Sequence, residues 1–310
     1  MKKRVRARAY TSIGNVGHGL DVLGLCVDAA CDEVEALRAA EGLTLRVSGP
    51  FREGVPSEPA QNSAGLAVQS LLEAHKVRDG VALEVHKGTR PGSGLGSSAA
   101  SAAAAVLAVS ELFSLGLSPA QLTRFAAEGE RAAADAPHAD NVAAALLGGL
   151  AIVGDPPFET VIRINSAAAP TWVLARPSIH IATRDARRIL PKEIRREQYV
   201  TAASHVALTI ASWQAGDIAA FGDAIEGSFV DHARATLIPG FAMVRTLARQ
   251  AGAAGVIVSG GGPSIAAVLA AASRVEPVSD AMRAGFATAG LECDVFVASV
   301  GPGAAVIERE

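Results

Sequence analysis

The sequence predicts an α+β fold with two sub-domains, and three observations carry that prediction. The chain has 310 residues, of which 50% are apolar and 19% charged, so it is long enough for about two domains with packed cores. Short runs that alternate like β-strands occur in clusters, and longer runs with helical spacing lie between them. The regular strand–helix alternation of a parallel sheet is absent, which favours α+β over α/β.

The first half of the chain contains two predicted strands and three predicted helices. Two helix starts have specific signals: Asn62 and Ser118 are suitable N-caps, and Pro119 occupies a first helical position. The alternating runs "TLRVSG" and "GVALEVHKG" predict the strands. The predicted helices are "NSAGLAVQSLLEAH", the small-residue stretch from Ser97 to about Phe113, and "SPAQLTRFAAEGE".

The second half begins with a cluster of strands and continues with helices. Four strand-like runs follow one another, namely "GLAIVG", "TVIRIN", "TWVLAR" and "SIHIAT". The segment "GVIVSGGGPSIAAVLA" predicts two strands separated by a glycine turn. The predicted helices are "ASHVALTIASWQAG", "FAMVRTLARQAG" and "SDAMRAGFATAG". The boundary between the sub-domains is expected soon after "GGLAIVG".

Composition excludes several classes of protein. Lys and Arg total 28 against 31 for Asp and Glu, and aromatic residues make up 4%, so neither nucleic acid nor a membrane surface is expected as a partner. The basic start "MKKRVRARAY" is not followed by the apolar run of a signal peptide. Three cysteines, with no CxxC pair, predict neither a disulfide framework nor a zinc site. We therefore expect a cytoplasmic protein.

The stretch "TRPGSGLGSSAASAAAAV" predicts a phosphate-binding loop. Gly92, Gly94 and Gly96 permit close backbone approach, and the helix that begins at Ser97 offers free N–H donors and the positive end of its dipole. Ser97 and Ser98 add hydroxyls, one of which is suited to ligate magnesium. The loop lacks the lysine of a P-loop, and Ser97 stands where a dinucleotide fingerprint needs glycine. A plain turn capped by Ser97 is the alternative.

Several motifs give the chain a family resemblance. The segment "PGSGLGSSAAS" resembles the second motif of the GHMP kinases (galacto-, homoserine, mevalonate and phosphomevalonate kinases). "SIGNVGHGLDVLGL" and "VSGGGPSIAAVL" resemble the first and third motifs. "HADNVAAALLGG", "TRDARRILPKEIRREQ" and "HARATLIPGF" resemble segments of the homoserine kinases within that family. The first motif departs from the homoserine kinase pattern at Tyr10, Ile13, Gly14 and Leu20.

The resemblance implies a fold, a nucleotide and a metal. It implies a ribosomal-protein-S5-like half, residues 1–155, that binds ATP, and a ferredoxin-like half, residues 156–310, that completes the substrate site. Ser98 and Glu130 are implied as Mg²⁺ ligands, with Glu128 as the alternative carboxylate. The implied ATP-binding residues are Pro91, Gly92, Ser93, Gly94, Leu95, Gly96, Ser97, Ser98, Ala99, Ala100, Ser101, Asn62, Lys87 and Gly261.

The resemblance also implies an acceptor and a reaction. ATP is expected to phosphorylate the γ-hydroxyl of L-homoserine, giving O-phospho-L-homoserine for threonine biosynthesis. Arg187 and Arg234 match the family's carboxylate ligands, and a guanidinium fork suits that task. Asn15 and Asp21 are expected to meet the ammonium and hydroxyl groups. The remaining implied acceptor residues are His138, Asn141 and Thr183.

For the adjacent residues Asp140 and Asn141, the resemblance leaves the roles to be divided between the two side chains. Some GHMP kinases use an aspartate base at the position of Asp140. Adjacent residues on a helix point about 100° apart, so we expect Asn141 to orient the hydroxyl and Asp140 to be structural. A kinase for an isoprenoid precursor or a sugar, and a non-catalytic ligand sensor, are the alternative functions. A homodimer is expected from the family.

Overall fold

The computed structural model describes residues 2–134 and 137–310. Helices and strands in this part of the chain form two sheets with helices packed on them, which confirms the α+β prediction. The strands are β1 (Arg4–Gly14), β2 (Leu23–Ala39), β3 (Leu43–Ser48), β4 (Gly80–His86), β5 (Leu150–Val153), β6 (Val161–Ile164), β7 (Thr171–Pro177), β8 (Gly255–Val258), β9 (Ile265–Leu269), β10 (Cys293–Ala298) and β11 (Ala305–Arg309).

The helices of the first half are α1 (Ser63–Ala74), α2 (Ser97–Phe113), α3 (Pro119–Glu128), α4 (Arg131–Ala134) and α5 (Asp140–Leu147). Those of the second half are α6 (Thr183–Arg188), α7 (Arg196–Ala215), α8 (Ile218–Ile225), α9 (Phe229–Arg234), α10 (Phe241–Ala251) and α11 (Val275–Ala287). Asn62 and Ser118 cap α1 and α3 as predicted. Of the described part of the chain, none of the helices combines the length and apolar character needed to cross a lipid bilayer.

The first sheet is organised around the long strand β2. Its order is β11-β1-β2-β4-β3, and β5 and β6 extend it from the first residues of β2. Strand β1 alternates arginines with Val5, Ala7 and Ala9, which are fully buried. These side chains pack on α2, whose alanines allow the helix to lie close to the sheet. The sheet therefore holds the start of α2, and the glycine loop before it, in a fixed position.

The second sheet has the order β10-β7-β9-β8 and is antiparallel throughout. Both of its faces are covered. Trp172 and Leu174 of β7 join a cluster with α7, α8 and the start of β2, whereas Val173 and Ala175 pack toward α10 and α11. Strand β7 consequently lacks an exposed face, and its apolar run is nearly continuous.

In the second half, the structure contradicts one predicted strand and leaves the predicted domain boundary untested. The run "SIHIAT" was expected to be a strand, and this is wrong: Ser178 donates to Glu292 O, and α6 begins at Thr183. Its alternation arises because Ile181 packs into the core while His180 lies against Gly92. The boundary at residues 155 and 156 stays a prediction. Strands β6 and β11 lie beyond it in the sequence but pair within the first sheet.

Candidate active site

The glycine loop lies between β4 and α2 and has the backbone that the sequence predicts. Gly92, Gly94 and Gly96 have φ of 66°, 78° and 65°, in the region where a Cβ is disfavoured. Gly96 precedes α2 without a side-chain cap, so the first N–H groups of the helix remain available to a ligand. The loop and helix together form an anion-binding backbone.

The third glycine motif packs directly on this loop. The Ser259 hydroxyl donates to Gly94 O at 2.7 Å, and the Ser264 hydroxyl donates to Ser93 O at 2.6 Å. A Cβ on Gly94 would lie 2.7 Å from Ser259 O and 2.6 Å from Gly262 O. A segment far away in the sequence therefore fixes the loop.

The first motif completes the contact between the three glycine-rich segments. Ser12 N donates to Leu95 O at 3.1 Å, and Gly260 N donates to Gly14 O at 3.2 Å. The three motifs predicted from sequence thus meet at one place, at the junction of the two sheets.

A cleft of about 270 Å³ opens over the loop. Thr183 and the third-motif residue Gly261 line its far wall. Of the residues predicted to bind ATP, Leu95, Ala99 and Ala100 are instead buried in the core and support the loop from behind. The other predicted residues in the cleft wall are Asn62, Lys87, Pro91, Gly92, Ser93, Gly94, Gly96, Ser97, Ser98, Ser101, Glu130 and Asn141.

Asn62 and Lys87 are among the residues of this wall that use their polar atoms within the protein. Asn62 Oδ1 accepts from Ala64 N at 2.9 Å as the cap of α1, and Asn62 Nδ2 donates to Pro56 O at 2.7 Å. The Lys87 ammonium donates to the Ser97 hydroxyl at 2.8 Å and forms a buried ion pair with a strand carboxylate. Direct contacts from these two side chains to a nucleotide stay a prediction.

Glu130 provides a buried carboxylate at the same cleft. It lies in the turn after α3 rather than on the helix itself, and burial raises its pKa to about 7, a hydrogen bond from Ser98 acting in the opposite direction. Its Oε1 atom is buried without a hydrogen-bond partner in the described structure. The alternative carboxylate, Glu128, pairs with Arg131 at the surface. An unpartnered carboxylate oxygen beside a hydroxyl suits a hard cation.

The predicted acceptor residues form a charged cluster. Arg187 Nη1 and Nη2 donate to the two oxygens of Asp21 at 3.0 and 2.8 Å, and His138 Nδ1 lies 3.8 Å from the same carboxylate. Burial favours a raised pKa for Asp21, but the hydrogen bonds and charge of Arg187 outweigh it and lower that pKa. Arg187 Nε and His138 Nε2 are buried without partners among the described residues.

Arg234 lies within the influence of the same cluster. Only 3% of it is exposed, and Nη1 donates to Gly260 O at 2.6 Å. Burial, followed by the charge of Arg187, lowers its pKa. The two guanidinium groups repel each other, and Arg187 Nε has no partner among the described residues, which favours an acidic group on the ligand.

Asp140 and Asn141 both reach the first motif, although they are neighbours on one helix. Asp140 Oδ2 accepts from Asn15 N at 2.8 Å, and Asn141 Oδ1 accepts from the Ser12 hydroxyl at 2.9 Å. A Cβ on Gly14 would lie 2.2 Å from Asn141 Nδ2 and 2.6 Å from Asp140 Oδ2. The glycine at position 14 therefore makes room for both side chains. Of the two, Asn141 lines the cleft.

The sequence reasoning missed Asp32, the buried partner of Lys87. A signal for it exists in the pattern of β2, where Asp32, Val34 and Ala36 share the fully buried face. A carboxylate at an inward position of an alternating strand requires a buried partner.

Comparisons with known proteins agree over the whole chain. The family model for the GHMP kinases N terminal domain matches residues 62–149, and that for the GHMP kinases C terminal matches residues 207–288. The curated homoserine kinase of Methanocella arvoryzae is 38% identical over 307 residues, covering 99% of this chain and 98% of that protein. The homoserine kinase of Haloquadratum walsbyi is 40% identical over 298 residues, covering 96% and 98%.

Solved structures give the same result. The crystal structure of homoserine kinase from Cytophaga hutchinsonii superposes with a TM-score of 0.91 at 34% identity, covering 99% of this chain and 98% of that one. The mevalonate kinase of L. major, with a TM-score of 0.73 and 20% identity over 98% and 100% of the chains, shares the fold.

Proposed function

The chain belongs to the GHMP kinase family, and from this premise we propose that it transfers the γ-phosphate of ATP to the γ-hydroxyl of L-homoserine. One observation carries the choice of acceptor: the ion pair of Asp21 and Arg187, with Arg234 beside it, at the edge of the phosphate-binding cleft. An α-amino acid carries a carboxylate for the arginines and an ammonium for Asp21. Mevalonate and sugars have no ammonium group, so they could not add a cationic ligand contact to the one that Asp21 already has with Arg187.

We propose an in-line transfer in which the protein positions the reactants. The oxygen of the acceptor hydroxyl forms a bond to the γ-phosphorus, and the bond from that phosphorus to the β,γ-bridging oxygen breaks with its electron pair remaining on ADP. The hydroxyl proton is released to solvent. Asn141 orients the hydroxyl, while the loop N–H groups and the α2 dipole stabilise the phosphates. Asp140 has its carboxylate engaged with the backbone of Asn15, which supports a structural role.

Ser98 and Glu130 are the residues that would hold Mg²⁺. Their hydroxyl and unpartnered carboxylate oxygens supply two hard ligands, and the described residues contain no cluster of three or more His, Cys, Asp or Glu side chains suited to a metal. Such a sparse site agrees with Mg²⁺, which usually retains water and phosphate ligands. When bound, the ion would neutralise charge on the phosphates.

We further propose a cytoplasmic homodimer. The three free cysteines support a reducing compartment, and the homodimer rests on the family resemblance. Analytical ultracentrifugation tests the dimer directly, and a sedimentation coefficient of a 31.5 kDa monomer at micromolar concentration would contradict it.

The test is ADP release from MgATP with a panel of acceptors: L-homoserine, L-threonine, L-serine, mevalonate, galactose and shikimate. We expect turnover with L-homoserine, a loss of nucleotide use in Ser98→Ala, and a raised homoserine KM in Arg187→Leu and Arg234→Leu. Arg188→Leu is the matched control, because the Arg188 side chain is 72% exposed. Preferred turnover of another acceptor would leave the phosphate loop intact and refute the proposed acceptor. ATP binding without turnover of any acceptor would favour a sensor.

A further inference from the structure

The glycine loop is closed at its base by a buried ion pair that the proposed chemistry does not use. Lys87 follows β4 and Asp32 lies within β2, and their side chains are 4% and 0% exposed. The Lys87 ammonium contacts Asp32 Oδ2, Ser101 Oγ at 2.8 Å, Ser97 Oγ at 2.8 Å and Ser97 O at 3.0 Å. An ammonium has three N–H donors. Acceptors within the protein therefore engage all of them, although the side chain borders the cleft.

Asp32 connects both ends of the loop. Its Oδ1 accepts from Gly88 N at 3.0 Å and Thr89 N at 2.9 Å, where the loop begins. Its Oδ2 accepts from Ser101 Oγ at 2.6 Å, in the first turns of the helix that follows the loop. The Ser97 hydroxyl closes the ring by donating to Thr89 O at 2.9 Å. One carboxylate and one ammonium therefore join the two ends of a loop that contains three glycines with positive φ.

Stability alone is a weak reason to keep such a pair, since a buried ion pair often contributes no more than apolar residues of the same shape. Positioning is a stronger reason. Glycine loops lose much conformational entropy when ordered, and anion binding by backbone N–H groups depends on their orientation. A pair that joins the two ends of the loop reduces the ordering that the nucleotide itself must impose.

We propose that Lys87 and Asp32 are positioning residues for the ATP phosphates, acting through Thr89, Ser97 and the start of α2 rather than by contact with the nucleotide. This inference rests on the proposed function in one respect, that the loop binds ATP. It also assigns Lys87 a role different from the direct ATP contact that the family resemblance implies.

A variant at Asp32 distinguishes positioning of the loop from direct contact with ATP, because the Asp32 carboxylate is fully buried among protein groups. The experiment measures the Kd of ATP and of AMP by calorimetry for the wild type, Asp32→Asn, Lys87→Met and the double variant. We expect each single variant to weaken ATP binding about tenfold, as for loss of a charge-assisted hydrogen bond, and AMP binding less than twofold. The double variant should weaken ATP no more than the worse single variant, because both act through one network.

Lys192→Met is the matched control, since Lys192 is exposed, and it should leave both constants unchanged. Unchanged ATP binding in Asp32→Asn, combined with weaker ATP binding in Lys87→Met, would show that Lys87 contacts the nucleotide and would overturn the proposal. Equal losses of ATP and AMP in every variant, in step with a fall in melting temperature, would also overturn it.

If Lys87→Met fails to fold because Asp32 is left buried without a partner, Asp32→Asn and the double variant still decide the matter. The proposed function fails separately: a wild type that binds ATP but does not phosphorylate homoserine refutes the acceptor and leaves the comparison of ATP with AMP valid.

Discussion

Replacing Asp140 with Asn tests whether this carboxylate removes a proton from the acceptor or holds the backbone around it. In the structure Asp140 is 2% exposed, and Oδ2 accepts from Asn15 N at 2.8 Å. Asn keeps an acceptor oxygen at this position but loses the charge. Hydrogen bonds to charged groups are stronger than neutral ones by about 1 kcal/mol, so we expect kcat/KM for homoserine to fall about fivefold.

Asp140→Ala should have a larger effect by the same reasoning. The Asn15 N–H would be left buried without an acceptor, at a cost of about 1–3 kcal/mol, or about five- to 150-fold in kcat/KM. Both variants should change the KM for ATP less than kcat/KM for homoserine, because Asp140 contacts the first motif and reaches the phosphate loop only through it. The assay is steady-state ADP release with homoserine varied at saturating ATP. Asp185→Asn, at an exposed position of α6, is the control.

The pH dependence separates the two roles further. Burial, followed by the charge of Asp21, raises the pKa of Asp140 to about 6, so the carboxyl is ionised above that pH and neutral below it. A general base would make kcat fall tenfold per pH unit below about 6 and would contribute about 10²–10⁴ in rate. A structural group gives a shallower dependence, because a protonated carboxyl still has an acceptor oxygen. A loss above hundredfold in Asp140→Asn, with the acid limb abolished, would refute our reasoning.

Three further predictions follow from the structure. Gly94→Ala should raise the KM for ATP far more than Gly42→Ala does. Both glycines have positive φ, but a Cβ on Gly94 would collide with the third glycine motif, whereas a Cβ on Gly42 would meet open space. Equal increases of the KM in the two variants would contradict this prediction. Glu130→Gln keeps the side-chain shape but removes the charge, so half-maximal activity should require about tenfold more Mg²⁺ while the homoserine KM stays unchanged. A magnesium titration measures this, and an unaltered Mg²⁺ requirement would exclude Glu130 as a ligand. Burial raises the pKa of Asp231 to about 8, so the folded protein keeps a proton that the unfolded chain releases above about pH 4. The free energy of unfolding should therefore fall by about 1.4 kcal/mol per pH unit between about pH 4 and about pH 8. Asp231→Asn should remove that slope in urea unfolding from pH 5 to 8, and parallel curves for both proteins would contradict the assignment.

Local features were predictable from sequence because they depend on neighbouring residues. The start of α2 at Ser97 follows from glycines that permit positive φ and from alanines that favour a helix, and both are set within a few residues. The caps at Asn62 and Ser118 were predictable for the same reason. The α+β class followed from the order of such local patterns.

The same local reasoning failed where a pattern has two causes. "SIHIAT" alternates like a strand, but it lies in the connection between β7 and α6, where Ile181 is partly buried against the core of the second sheet. Alternation reports which side chains face the core, and it carries no information about whether the backbone has a neighbouring strand.

By itself the sequence determined the phosphate loop, because glycine conformation and a helix terminus are properties of adjacent residues. Only the tertiary structure decided what the charged side chains do. It pairs Asp21 with Arg187, 166 positions away, and Lys87 with Asp32, 55 positions away. Which strands and helices pack together decides how deeply a charged side chain is buried and which groups it contacts. The free energy of that charge depends on its burial and its contacts far more than on its neighbours in the chain. For that reason the pairing of Asp21 with Arg187 and the ion pair beneath the loop became visible only in the folded molecule, although the resemblance had already named the acceptor residues.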